Sequence, residues 1–278
     1  MTDLELRPGP GGVRLIRDLA YPRAYTLRMG FTDQSYVDLD DPHRLEFDYV
    51  QRIADAVDAH AVPGRRLRVV HVGGAAMTLP RYVAATRPTS AQLVFEPDAE
   101  LTAFVRQHLP LDKRSGIKVR PEDGRAGLAG LRDDYADVII VDAFVGARVP
   151  AALGSVEFFA DAARVLAEDG TLMINITDRA PLTYARRVLA GLRATFADTV
   201  FVAESATLKG RRFGNILIMG SAVPLPVNRL AERAGSAAFP YRVVHGARLD
   251  QLAGGAEPYT DADAEESPAP PEGLSHFN

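Results

Sequence analysis

His71-Val72-Gly73-Gly74, Glu96, Asp123-Gly124 and Asp142 form a ladder of glycines and acids, each rung about twenty to twenty-seven positions beyond the last. Every rung closes or closely follows a run of apolar, β-leaning residues. A glycine turn after a first strand, followed by an acid about twenty residues on, is what a nucleoside-binding α/β sheet requires. The glycines let the backbone approach a ligand, and the acid accepts hydrogen bonds from ribose hydroxyls. Gly73-Gly74 is followed by Ala75 and Ala76, so there is no full GxGxxG. The ordered series, not the single turn, carries the reading.

The elements that must position these residues follow from periodicity. Three short β-leaning segments (13–16, 24–28 and 35–38), broken by Pro22 and Gly30, predict a small antiparallel unit over residues 1–40 that must pack on the rest. Asp41-Pro42 reads as the start of a helix, with Asp41 as N-cap. Leu45, Tyr49, Ile53 and Val57 give that helix one apolar face. Strands are then expected at 67–72, 91–95, 117–120, 138–141 and 171–176. Helices are expected from Pro97-Asp98, from Ser155 and over 181–196. Alternating strands and helices imply a parallel sheet covered on both faces, spanning 41–253. Two further strands, 199–203 and 215–219, have no helix between them and predict an antiparallel hairpin at one edge, seven strands in all. The acidic, Pro-rich stretch 254–278 reads as a mobile tail.

In an open α/β sheet the ligand lies beyond the carboxyl ends of the strands, where every rung falls. Glu96 is placed for ribose, Asp123-Gly124 for an adenine amino group, and Asp142 nearest the chemistry. Each also has a bland alternative: a helix-dipole charge, an Asp-Gly turn or a loop cap. His71 reads as a satisfied core histidine, and Asp178 as a helix cap near Asn175. Gln34, Tyr36 and Tyr49 are candidates for the mouth of the pocket.

Composition narrows the classes. The chain has 278 residues, 47% of them hydrophobic, and a net charge of −4. That balance argues against broad electrostatic capture of nucleic acid. With no cysteine, disulfides, thiolate nucleophiles and cysteine-ligated zinc are excluded, and the six scattered histidines lack metal-ligand spacing. No metal is expected. No apolar run is long enough to span a bilayer, and Met1-Thr2-Asp3 does not open a secretory signal. A cytoplasmic protein without a membrane or nucleic-acid partner is expected.

The stretches 69–74, Val94-Phe95-Glu96-Pro97-Asp98, 121–125 and Tyr135-Ala136-Asp137 through Asp142 resemble the spermidine synthase family, in order over roughly residues 24–220. The resemblance implies a methyltransferase-type Rossmann fold with a small N-terminal β unit. It implies decarboxylated S-adenosylmethionine as co-substrate and a small-molecule amine as acceptor, with a homodimer left open. By resemblance Glu96 holds the ribose, Asp123 the adenine, Gly73-Gly74 borders the methionine-derived chain, and Gln34 falls where the family has a ligand-contacting glutamine.

Two departures stand beside the matches. The family turn has three glycines followed by Asp-Gly, where this chain has Gly73-Gly74-Ala75-Ala76-Met77. The catalytic loop of the family carries a second aspartate three residues after the first, where this chain has Val145. Removing a general base typically costs about 10²–10⁴-fold in rate. Three readings therefore stand: aminopropyl transfer with Asp142 as base or amine anchor, methyl transfer from intact S-adenosylmethionine to a small acceptor, and nucleoside binding without catalysis.

Overall fold

The computed structural model describes residues 3–9 and 11–271. Strands β1 (Leu4–Arg7), β2 (Val13–Arg17), β3 (Ala24–Met29) and β4 (Thr32–Asp38) form a four-stranded antiparallel sheet. The alternating strand and helix patterns then give α1 (Asp48–His60), β5 (Arg68–Val72), α2 (Thr78–Thr86), β6 (Ala91–Phe95), α3 (Ala99–His108), β7 (Ile117–Arg120), α4 (Gly124–Ala129) and β8 (Ala136–Val141). They continue through α5 (Val156–Val165), β9 (Leu166–Asp178), α6 (Thr183–Thr195), β10 (Asp198–Glu204), α7 (Ser205–Leu208), β11 (Gly214–Ser221), α8 (Val227–Ser236), β12 (Tyr241–Val244) and α9 (Ala247–Ala253).

The second sheet has eight strands in the order β12-β10-β11-β9-β8-β5-β6-β7, with β5 to β9 parallel. This is an α/β fold with a mostly parallel sheet and a small N-terminal antiparallel unit. Two details differ from the sequence expectation. The extra strand of this sheet is β12, whose four residues are too few to show a period, just as the four-residue β1 adds to the three segments expected in the small sheet. The β10–β11 hairpin does not form the edge, because β11 inserts between β9 and β10 and β12 covers β10.

Side-chain alternation divides the core between two helix layers. Val70, Val72, Ile139 and Val141 pack with Phe158, Phe159, Val188 and Leu189 of α5 and α6. Val69, Val138 and Ile140 point the other way, onto Ile53 and Val57 of α1, Val83 of α2 and Leu230 of α8. The small sheet closes a third cluster, in which Val13, Leu15, Leu27 and Val37 pack on Leu101, Phe104 and Val105 of α3 and on Ala76.

The first long helix begins at Asp48, not at Asp41. Asp41 is occupied in a local turn, its carboxylate accepting the His43 N–H at 3.1 Å and its carbonyl the Arg44 N–H at 3.0 Å. Arg44 is held by Asp38 at 2.9 Å. The turn chemistry takes the donors that would have opened a helix.

The expectation of a mobile tail is corrected over 254–271; residues 272–278 lie outside those described. Tyr259 is 3% exposed and Ser267 fully buried. Asp261 meets Arg125 and Ser155, Asp263 meets Arg187, and Glu266 meets Arg148 at 2.7 Å. Arg187 also stacks 3.8 Å over the Tyr259 ring. Three of the acids that read as a solvated run, Asp261, Asp263 and Glu266, are each matched to an arginine far away in sequence. Truncation after Ala256 should therefore lower the melting temperature by about 5–10 °C. Burying one large side chain contributes roughly 1.5–3 kcal/mol, and the ion pairs add to it. Each kcal/mol moves a domain of this size by about 2–4 °C. Scanning calorimetry checks this; an unchanged midpoint would mean that the segment adds no stability.

Candidate active site

The carboxyl ends of β8, β5, β6 and β7 border one cleft of about 700 Å³. Gln34, Gly73, Gly74, Glu96, Asp123, Gly124 and Asp142, separated by as many as 108 positions, all line it. All but Gln34 converge through the topology, each at or just past the end of a strand on the same side of the large sheet, whereas Gln34 reaches the cleft from β4 of the small sheet.

The turn after β5 sets the floor. Gly73 has φ +97°, and a Cβ there would lie 2.2 Å from the carbonyl oxygen of Asp142. No other residue fits between the ends of β5 and β8. Glu96 then ties this turn to the next strand. Its Oε2 accepts the N–H groups of Gly74 and Ala75, each at 3.1 Å, and its Oε1 accepts that of Asp98 at 3.1 Å. Every other backbone donor of the turn is also taken. Gly73 N–H bonds Phe95 O at 3.0 Å, Ala76 N–H bonds the Ser35 hydroxyl at 3.3 Å, and Met77 N–H bonds Gly74 O at 2.7 Å.

Asp123 caps α4, its Oδ1 accepting Arg125 and Ala126 N–H at 3.0 Å each. The cap and the cleft position coexist, since only one carboxylate oxygen is occupied. Gly124 is required by packing: a Cβ would lie 2.3 Å from Cγ1 of Val72. Asp98 caps α3 and pairs with Arg7 of β1 at 2.8 Å, which brings the small sheet to the cleft rim.

Asp142 is half-buried at the end of β8. Its Oδ1 accepts Nδ2 of Asn175 at 2.9 Å, and the same nitrogen donates to Asn215 Oδ1 at 3.2 Å. Burial pushes the Asp142 carboxyl up to about 6, and the Asn175 hydrogen bond opposes that rise. Asn175 is 1% exposed. The sequence placed it near the end of its strand but gave no sign that β9 lies beside β8 and aims it at Asp142.

Asp178 lies outside the cleft lining, and His71 borders the cleft with its ring nitrogen tied up in the core. His71 is buried with Nε2 2.9 Å from Oε1 of Gln92, whose amide nitrogen donates to Pro80 O. That arrangement places the proton on Nε2, and desolvation lowers the pKa to about 4, so the ring is neutral. Asp178 accepts Arg179 and Ala185 N–H at the start of α6. Tyr49 lines the cleft, whereas Tyr36 turns its hydroxyl to Asp18 at 3.0 Å.

The loop after Asp142 turns back at Val145, whose N–H and C=O pair with Arg148 at 2.8 and 3.1 Å. Gly146 and Ala147 between them both have positive φ, as a tight two-residue hairpin turn requires. The C-terminal segment fixes the loop: Ser267 Oγ accepts Val149 N–H at 2.9 Å and Ser267 N–H donates to Val149 O at 3.1 Å. This brings Pro270 into the cleft wall. Sequence reasoning missed that contribution, since nothing local links residue 270 to residue 149.

Among the described residues that line the cleft, no side chain is lysine or arginine, while Glu96, Asp98, Asp123 and Asp142 are carboxylic acids. No group of three metal-binding side chains occurs among the described residues, and no described helix is long and apolar enough to cross a membrane.

No family model matches the chain. It is 24% identical over 229 residues to a polyamine aminopropyltransferase of Vibrio vulnificus, covering 79% of this chain and 73% of that one. A probable spermidine synthase from Corynebacterium glutamicum superposes with a TM-score of 0.86 at 28% identity, covering 95% of this chain and 98% of that one. Spermidine synthase from Thermotoga maritima shares the fold, with a TM-score of 0.59 at 15% identity over 93% of this chain and 84% of that one. The chain is thus a divergent spermidine synthase-like protein in fold and sequence.

The Asp142 carboxyl allows a sign-definite test. Its folded pKa of about 6 exceeds its ordinary value of 3.8, so ionising it costs the folded state stability. That cost is absent at low pH, grows as pH rises through the interval between these values and is complete above it. Asp142→Asn keeps the Asn175 hydrogen bond and removes the charge. It should be more stable than the parent above pH 6, by on the order of 2 kcal/mol, and equal to it near pH 4. Urea unfolding at both pH values measures the difference; an advantage confined to acid pH would reverse the assignment.

Proposed function

We propose that the chain is a transferase that binds decarboxylated S-adenosylmethionine and passes its aminopropyl group to an amine. One observation carries the choice of this nucleoside: among the described residues the cleft lining is acidic, holds no lysine or arginine, and has only the neutral His71 as a basic group. The turn beside Glu96 adds to it, because all its backbone N–H groups from Gly73 to Met77 are already bonded. A carboxylate-bearing ligand would find neither a cation nor a spare backbone donor in that turn, and an unpaired buried carboxylate is strongly disfavoured. A sulfonium and a primary ammonium suit the same surface. The likeness to polyamine aminopropyltransferase and probable spermidine synthase supports this direction.

When bound, the nucleoside supplies a propyl carbon activated by sulfonium. In this proposal Glu96 uses the lone pair left on Oε1 for a ribose hydroxyl, and the uncapped oxygen of Asp123 accepts an adenine amino proton. Gln34 and Gly73-Gly74 border the rest of the ligand. Asp142 anchors the acceptor ammonium and takes its proton. The amine nitrogen bonds to the propyl carbon, the carbon–sulfur bond breaks, and its electron pair stays on sulfur, releasing methylthioadenosine. A carboxyl near pH 6 is ionised at neutral pH yet more basic than an ordinary aspartate, which is what a proton acceptor needs.

Titration calorimetry with the two nucleosides separates this reading from methyl transfer. Decarboxylated S-adenosylmethionine should bind at least about tenfold more tightly than the intact form, about 1.4 kcal/mol. Equal affinity, or preference for the intact form, would favour a methyltransferase. Asp142→Asn should cut amine turnover by about a hundredfold or more, with methylthioadenosine affinity changed by less than about threefold. Steady-state rates and a binding isotherm on the same preparation check it. Unchanged turnover would remove Asp142 from the reaction.

A further inference from the structure

The cleft is chemically divided along the sheet. Glu96, Asp98 and Asp123 belong to the ends of β6 and β7, on one side of β5, and Asp142 alone stands at the end of β8 on the other. Beyond Asp142 the lining contains Phe144, Val145, Ala147, Pro150, Leu153 and Pro270. None of these side chains carries a charge or a hydrogen-bond acceptor, and the ring face of Phe144 is the one surface among them that attracts a cation.

Further acids on this side of the sheet are occupied elsewhere: Asp48 and Glu204 are both paired with Arg52. Asp178 at the end of β9 is 2% exposed and accepts two backbone N–H groups, one of them from α6. Glu266 is paired with Arg148, whose own positive charge sits beside the hairpin. An acceptor anchored at Asp142 by one ammonium would place any second ammonium against apolar side chains near a guanidinium. An unpaired charge in such surroundings is disfavoured, whereas methylene or ring carbons gain from the contact.

We infer that the acceptor is a primary monoamine with an apolar remainder, not a diamine. This rests on the aminopropyl-transfer reading above and specifies the acceptor of that same site. Val145 is the position that controls the choice. It is 70% exposed at the mouth, so its side chain can change without disturbing the core.

The test measures kcat/KM with decarboxylated S-adenosylmethionine and two matched pairs, butylamine with 1,4-diaminobutane and hexylamine with 1,6-diaminohexane. Aminopropyl adducts are identified by mass spectrometry. The wild type should favour the monoamine of each pair by at least about tenfold, and Val145→Asp should move that ratio at least about tenfold towards the diamine. Equal use of the two, or preference for the diamine by the wild type, overturns the inference while leaving aminopropyl transfer standing. A ratio unmoved by Val145→Asp, with the variant folded by circular dichroism, overturns the assignment of this half of the cleft to the acceptor. No adduct with any of the amines, while methylthioadenosine still binds, overturns the transferase reading itself and the inference with it.

Discussion

The carboxylate of Glu96 is the constraint on which the cleft depends. Three backbone N–H groups converge on it, two from the turn after β5 and one from the loop after β6. A buried, multiply bonded acid of this kind costs little only because every donor is in place. The bond to Asp98 leads directly to the cap of α3 and to Arg7, so the antiparallel sheet is tied to the same point. Ser35 and Thr78 add a second tie between that sheet and the turn. Because Glu96 takes the donors that many nucleotide sites offer to an anion, the glycine turn here has an acidic, acceptor-rich character. The acceptor-rich character of this turn is built into the backbone, not only into the side chains.

The opposite wall is assembled differently. Asp142 owes its position to Gly73, which alone permits the close approach of two strand ends, and to Asn175 across the β8–β9 pair. The loop that follows buries Val149 and Leu153 in the core and is held further by a segment more than a hundred residues later. Ser267 makes both backbone-directed bonds to Val149, and three arginines hold the acids around it. A polar anchor thus supports an apolar surface. The Glu96 half of the cleft is a property of the sheet, and the half beyond Asp142 is a property of loop and tail together.

This division also explains what was legible in the sequence. The apolar runs ending in Gly73, Glu96 and Asp142 announce buried parallel strands, and the rule that ligands lie beyond their carboxyl ends brings Gly73, Gly74, Glu96, Asp123, Gly124 and Asp142 to one cleft, while Gln34 is legible only by resemblance. His71 is legible as a core residue because alternation sends it to the α1–α2 layer. The Asn175–Asp142 bond is not legible, since it depends on strand order, which spacing does not reveal. The tail misleads for a related reason: Asp261, Asp263 and Glu266 read as solvating charges until Arg125, Arg187 and Arg148 are brought beside them. Asp41-Pro42 has the local chemistry of a helix start, but the Asp38–Arg44 pair holds that segment as turns and the helix waits until Asp48.

The most direct measurement is a crystal structure of the protein soaked with methylthioadenosine. Ribose hydroxyl density within hydrogen-bonding distance of Glu96 Oε1 is expected, with the adenine amino group at Asp123 and the thioether sulfur facing the Asp142 end of the cleft. A nucleoside bound in the reverse sense, with adenine at Asp142, would contradict this arrangement. So would an empty cleft at ligand concentrations in the millimolar range, well above those at which enzymes commonly hold their substrates.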